Sequence, residues 1–157
     1  MEKPAVYIDT TVPSAYLEER STPEMLQRRD WTRRWWAGAP EKHQMLGSAL
    51  LIGELSVGTP ARVRQRLTLV SELRMLPLTP EVMDTADLYI RHKLMPAYPI
   101  ADAYHLAFAS CYACEFLVSW NYRHLVNPSK FLHVRKINAL RGLFVPSLVT
   151  PAQLLGG

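Results

Sequence analysis

The chain has 157 residues, 48% of them hydrophobic and 20% charged, and carries a formal net charge of +4. This suggests a single domain over 1–157 with a sizeable core, and a mildly basic surface that favours polyanionic partners without proving one. The composition gives no sign of a membrane protein: no apolar stretch reaches the ~18 residues of a span, and "MEKPAVYID" is too short and too interrupted, by Pro4 and Asp9, to be a signal peptide, so a cytoplasmic protein with reduced thiols is expected.

"AVYI" (Ala5 to Ile8) predicts a strand covered on both faces, ended by Asp9. Thr11 is placed to cap a short helix with Pro13 just inside it, and a second helix is expected from Pro23 to Ala37, closed by "GAPEK". "HQMLGS" predicts the second strand, Ser48 opens a helix through Glu54, another helix runs from Pro60 to about Leu73, and "RMLPL" is a third strand. Thr79-Pro80-Glu81 supplies a cap, a first-turn proline and a first-turn acid for the helix "PEVMDTADLYIRHKL". Ile100 to Ala113 is a helix rich in small residues, suited to packing closely on a sheet, and "EFLVSW" is a fourth strand. "PSKFLHVRKINALRG" reads as a basic helix ended at Gly142, and "LFVPSLVTPAQLLGG" as a last strand and a short helix opened by Thr150-Pro151. Alternation of short apolar strands with helices predicts an α/β fold, a three-layer α/β/α sandwich with a short, mainly parallel central sheet.

Ligands of such sheets bind outside the carboxyl ends of the strands, where strand order reverses. Asp9 and Asn121 each follow a strand and so are expected to face that crevice. Glu54 lies in the apolar run "SALLIGELSVG" with no basic residue within a helical turn, so it calls for a distant partner; Asp102 sits in the first turn of the small-residue helix, where complementing the helix dipole is the simpler reading. Several carboxylates in one crevice repel one another unless a cation lies between them, and oxygen-only ligands point to a hard ion, Mg2+ or Mn2+.

The stretches "YIDTTVPSAYL", "SALLIGEL", "IADAYHLAFA", "LVSWNYRHLVN" and "LVTPAQLL" together resemble a PIN domain, and within that family the VapC-type nucleases that carry a Ser-Trp-Asn motif. The resemblance covers nearly the whole chain. It implies a metal-dependent endoribonuclease acting on an RNA substrate, a homodimer and, for toxin members, a nearby-encoded antitoxin protein. By position, Asp9, Glu54 and Asp102 match the three invariant acids of the family, and Thr10 and Ser119 match hydroxyls lining the site. Asn121 stands at the fourth acidic position, where this sequence departs from the commoner pattern; its carbonyl oxygen remains a possible metal ligand. The expected chemistry is hydrolysis of RNA phosphodiester bonds, with Asp9 and Asp102 contacting the metal and Glu54 completing the cluster or accepting a proton from water. A catalytically weakened PIN-fold RNA- or protein-binding module is the alternative. A phosphotransferase of the haloacid dehalogenase type would need an acid two residues after Asp9, where Thr11 stands.

Other features admit simpler readings. "RRDWTRRWW" (Arg28 to Trp36) combines arginines and tryptophans that could grip phosphates, stack bases or receive an antitoxin helix, but packing explains the tryptophans equally simply. Cys111 and Cys114 lack the further ligands of a zinc site and sit near a helix end, which favours core packing. His105, three residues after Asp102, is a ligand candidate or a hydrogen-bonded, semi-buried histidine. Arg123 and His124, in a loop near the crevice, are candidate RNA contacts.

Overall fold

The computed structural model describes residues 2–156. Thirteen elements follow one another: β1 (Ala5–Ile8), α1 (Thr11–Tyr16), α2 (Pro23–Lys42), β2 (Gln44–Ser48), α3 (Ala49–Leu55), α4 (Pro60–Val70), β3 (Arg74–Leu76), α5 (Pro80–Arg91), α6 (Ala101–Cys111), β4 (Phe116–Val118), α7 (Pro128–Leu140), β5 (Ser147–Val149) and α8 (Pro151–Leu155). The strands form one sheet in the order β3-β2-β1-β4-β5, and every pairing is parallel. The chain builds outward from β1 to β3, then returns to place β4 on the other side of β1. Strand order therefore reverses between β1 and β4, where a doubly wound sheet opens its crevice.

Alternation along β1 sends Val6 and Ile8 to one face and Tyr7 to the other, and all three are fully buried. One face packs Val6, Ile8, Met45 and Val118 against Val12, Trp35, Trp36, Leu51 and Leu55 of α1–α3. The other packs Tyr7, Leu46, Leu117 and Leu148 against α5, α6 and α7, including Tyr89, Leu106, Phe108 and Ile137. Gly47 of β2 leaves room for side chains of α3 and of the neighbouring strand β3: a Cβ there would lie 2.8 Å from Leu51 Cδ2 and 3.2 Å from Met75 Sδ.

Local signals set most boundaries. Ser48, Thr79 and Thr150 accept from backbone N–H groups of the first turn of α3, α5 and α8, and Gly142 follows α7 with φ 65°. Three expectations are corrected. Helix α2 continues through Pro40 to Lys42, because Trp35, Trp36 and Ala39 bury one face along its whole second half. Thr11 does not cap α1; Thr10 holds the cap position without a capping hydrogen bond from its side chain, and the Thr11 hydroxyl is engaged elsewhere. Strand β4 stops at Val118, because the Trp120 N–H donates to Thr11 Oγ1 (2.8 Å) rather than to a neighbouring strand. The cysteines are free thiols: burial pushes Cys114 up to about 12, and the Cys111 thiol donates to Thr85 Oγ1, so both serve packing. Among the described residues, no helix is long and apolar enough to cross a membrane.

Candidate functional site

The carboxyl ends of β1 and β4 bring Asp9, Ser119 and Asn121 together through hydrogen bonds. Asp9 is buried at 2% exposure directly after β1. Its Oδ1 accepts from the Thr11 hydroxyl (2.5 Å) and the Thr11 N–H (3.0 Å), and its Oδ2 from the Ser119 hydroxyl (2.6 Å). All of these donors are neutral. Burial raises the Asp9 carboxyl above its ordinary range, against the opposing influence of His105, Ser119 and Thr11.

Glu54, on α3, meets the distant partner that its apolar surroundings call for. Its Oε1 accepts from Thr10 Oγ1 at 2.5 Å and lies 2.7 Å from His105 Nε2. Desolvation works to raise this carboxyl, but the His105 contact and the Thr10 hydroxyl outweigh it and hold it low. The other ring nitrogen of His105, Nδ1, lies 2.8 Å from the Tyr7 hydroxyl, which is itself 2.8 Å from Ser48 Oγ. His105 is thus a buried, hydrogen-bonded histidine that orients Glu54. Tyr7 and Ser48 are members of the site that sequence reasoning missed; inside "AVYI" a tyrosine looks like one more core residue.

Asp102 occupies the first turn of α6, and its Oδ1 accepts from Asn121 Nδ2 at 3.2 Å. Asn121 is pinned on all sides: its N–H donates to Ser119 Oγ, and its Oδ1 accepts from the N–H groups of Arg123 and His124. Arg123 and His124 therefore shape the site through their backbone. The His124 ring lies 3.3 Å from Lys130 Nζ, which donates to the Leu94 carbonyl. Burial lowers both His124 and Lys130, the charge of Asp102 opposes it in each, Arg123 adds to it in each, and Lys130 lowers His124 further. Lys130 is a second missed neighbour, hidden in the sequence because it lies on α7.

Glu54, Thr10, Asp9, Ser119, Asn121 and Asp102 thus line one continuous polar edge. The chemistry of this donor set, oxygen atoms with one buried carboxylate lacking a cationic hydrogen-bond partner, fits a hard divalent cation. The enclosure is incomplete, however. Among the described residues no three His, Cys, Asp or Glu side chains gather closely enough to hold an ion, and Glu54 and Asp102 are each bonded to a protein partner.

A cavity of about 390 Å³ adjoins this edge, and Thr10, Thr11, Glu54, Arg20, Arg28 and Trp120 are among the residues that line it. The "RRDWTRRWW" segment is divided between two roles. Trp35 and Trp36 are buried in the core, whereas Trp31 stacks on Trp120 at 6.0 Å and Arg28 reaches the cavity.

Neither a protein-family model nor a curated protein sequence matches the chain. Among solved structures, it is similar to VapC20 of Mycobacterium tuberculosis, described as a Sarcin-Ricin loop cleaving toxin. The TM-score is 0.58 and the identity 16%, over 76% of this chain and 92% of that one. The likeness shows that the chain has a PIN-like α/β fold of the VapC kind.

Proposed function

We propose that this protein is a divalent-metal-dependent endoribonuclease and the toxin of a toxin–antitoxin pair. The observation that carries the reading is Asp9: a buried carboxylate at the switch point of a PIN-like sheet, held by hydroxyl and amide donors and by no cation. A carboxylate so placed gains more from a bound cation than one already ion-paired. Asp9 would be the principal protein contact of Mg2+ or Mn2+, with Asp102 and Glu54 reaching the ion through waters it keeps, and the Asn121 carbonyl is spoken for by two backbone N–H groups. Bound there, such an ion would lower the pKa of a water and stabilise charge on the phosphate.

The residues of the chain have separable tasks. Ser119 and Thr11 fix the Asp9 carboxylate in one orientation. His105 and Thr10 keep Glu54 ionised and aimed, leaving its Oε2 available to accept a proton from water. Asn121 holds Asp102 and sets the loop that carries Arg123 and His124. The RNA-cleaving activity, a homodimer, an antitoxin partner and a cytoplasmic location are parts of this reading that the VapC-like fold supports by analogy.

The incomplete enclosure and the amide at position 121 favour one second reading, a PIN-fold module that binds RNA or protein without cleaving it. Incubating single-stranded RNA with Mn2+ or Mg2+, with and without chelator, separates the two. The nuclease reading expects cleavage that chelator abolishes and that Asp9→Asn loses, with a metal-induced rise in melting temperature that Asp9→Asn also loses. RNA binding without cleavage, and no thermal response to metal, would establish the second.

A further inference from the structure

The cavity beside the acidic edge ends in a group of side chains that metal-assisted hydrolysis does not use. Arg28 lies in the notch between two aromatic rings, with its guanidinium carbon 5.5 Å from the centroids of both Trp120 and Tyr122. The two rings are 6.3 Å apart and inclined at 61°. Trp120 is fixed: its face stacks on Trp31, its Nε1 donates to Thr32 Oγ1 at 2.8 Å, and it is 4% exposed. Tyr122 is the opposite, 51% exposed. Among the described residues, one hydrogen bond engages the Arg28 side chain, from Nη2 to Glu24 Oε1 at 2.8 Å. Most of its five N–H donors are therefore uncommitted.

An exposed tyrosine beside a planar, aromatic-supported guanidinium is what stacks and hydrogen-bonds an unpaired base. Packing alone does not account for the pair, since Tyr122 buries little and Arg28 gives its charge to a cavity rather than to a buried carboxylate. The volume, about 390 Å³, lies at the small end of ordinary ligand sites, which span roughly 300–1,000 Å³. Thr10, Thr11 and Glu54 line the same cavity as Arg28 and Trp120, so a nucleotide seated in it lies beside both Arg28 and the acidic edge.

We propose that this cavity, together with Tyr122 next to its Arg28 and Trp120 lining, is the subsite for one unpaired ribonucleotide flanking the scissile bond, with its base held by Arg28 and Tyr122 and with Trp120 as the fixed backing of the clamp. The assignment rests on the endoribonuclease reading for its substrate class, but its test does not depend on cleavage. The probe is a labelled oligoribonucleotide of mixed sequence, single-stranded or annealed to its complement, titrated into the full chain in chelator and read by fluorescence anisotropy. A parallel arm with Mn2+ reads cleavage of the same single strand.

The wild type should bind the single strand at least about tenfold more tightly than the duplex, the scale of one stacked base. Tyr122→Ala and Arg28→Ala should remove most of that preference, and Arg28→Lys should not restore it, because an ammonium does not stack as a guanidinium does. Tyr122→Phe, which keeps the ring, should bind like the wild type. So should Arg34→Ala, which lies on the same helix and pairs only with Asp30 at the surface. Equal loss on single strand and duplex would reduce Arg28 to a phosphate contact and overturn the base subsite, as would unchanged binding in both alanine variants. Loss of preference without cleavage in the Mn2+ arm would uphold the subsite and sink the nuclease reading. Failure of the wild type to bind either RNA would overturn the subsite, and with no cleavage in the Mn2+ arm it would overturn the nuclease reading as well.

Discussion

Asp9 and Glu54 lie on the same polar edge and are held by opposite means. Glu54 is paired to His105 and kept below its ordinary range despite partial burial. Asp9 is more deeply buried, receives only neutral donors, and is raised. One carboxyl has an imidazole partner, and the other has only hydroxyl and amide donors. The difference teaches where an ion would be most needed, and it assigns Glu54 to orientation and proton handling rather than to the strongest metal contact.

Cleavage gives the largest test of that contrast. Asp9→Asn should lower metal-dependent cleavage by about a hundredfold or more, since a metal supplies several kcal/mol of transition-state stabilisation. Glu54→Gln should lower it less and leave the metal-induced thermal shift largely in place. If Glu54→Gln abolishes the thermal shift and Asp9→Asn keeps it, the roles are reversed.

The two adjacent threonines divide along the same line. Thr11→Val strips Asp9 of a hydroxyl donor and leaves the Trp120 N–H without its acceptor, so it should cost about 2 kcal/mol in chemical denaturation. Thr10→Val removes a donor from Glu54, which keeps His105, and should cost only about 0.5–1 kcal/mol. Equal losses would mean that the hydroxyl at position 11 carries no special burden.

Asn121→Asp probes the third acid. The substitution deletes the Nδ2 donor that holds Asp102 and sets a second carboxylate beside it, while the acceptor for the Arg123 and His124 N–H groups survives. Calorimetry should show tighter Mn2+ binding by about 1 kcal/mol, and melting in chelator should show a less stable protein. Unaltered metal affinity would confine Asn121 to a structural role.

The pH dependence of stability separates Asp9 from Glu54 by sign. A carboxyl held low stabilises the fold at pH above its ordinary value, and that stabilisation is lost as pH falls through the folded value; Glu54 is such a group. A carboxyl held high does the reverse: its penalty begins as pH rises past the ordinary 3.8 and is complete above the folded value. In chelator at pH 7, Asp9→Asn should therefore raise the melting temperature and Glu54→Gln lower it, both by a few degrees, and both differences should shrink toward pH 3. A lower melting temperature for Asp9→Asn would mean that its hydroxyl partners already offset the cost of burial.

The fold was largely legible because each strand is a short apolar run and most helices carry a cap that needs nothing from elsewhere, as at Ser48, Thr79 and Thr150. The end of α2 was not, because burial of Trp35, Trp36 and Ala39 overrides the Gly38–Pro40 stop signal. That Glu54 has a long-range partner was legible for a reason of cost: a carboxylate in apolar surroundings demands an explanation, and Glu54 gave no local one. What the sequence concealed was pairing at a distance. Nothing in "AVYI" or "SALL" says that Tyr7 and Ser48 meet on His105, and nothing in "RRDWTRRWW" tells the buried Trp35 and Trp36 from the Arg28 that reaches the cavity.

The sheet order has a consequence for the order in which this site comes into being. Strand β1 gains its β2 neighbour from the residues that follow soon after it, but its other neighbour, β4, lies more than a hundred positions along the chain. Chains emerge from the ribosome amino end first. Until Phe116–Val118 and the loop after them leave the exit tunnel, Asp9 lacks the Ser119 hydroxyl and Asp102 lacks Asn121. A nascent chain therefore carries the first acid in an unfinished pocket for most of its synthesis, and the polar edge closes only when nearly all of the protein has been made.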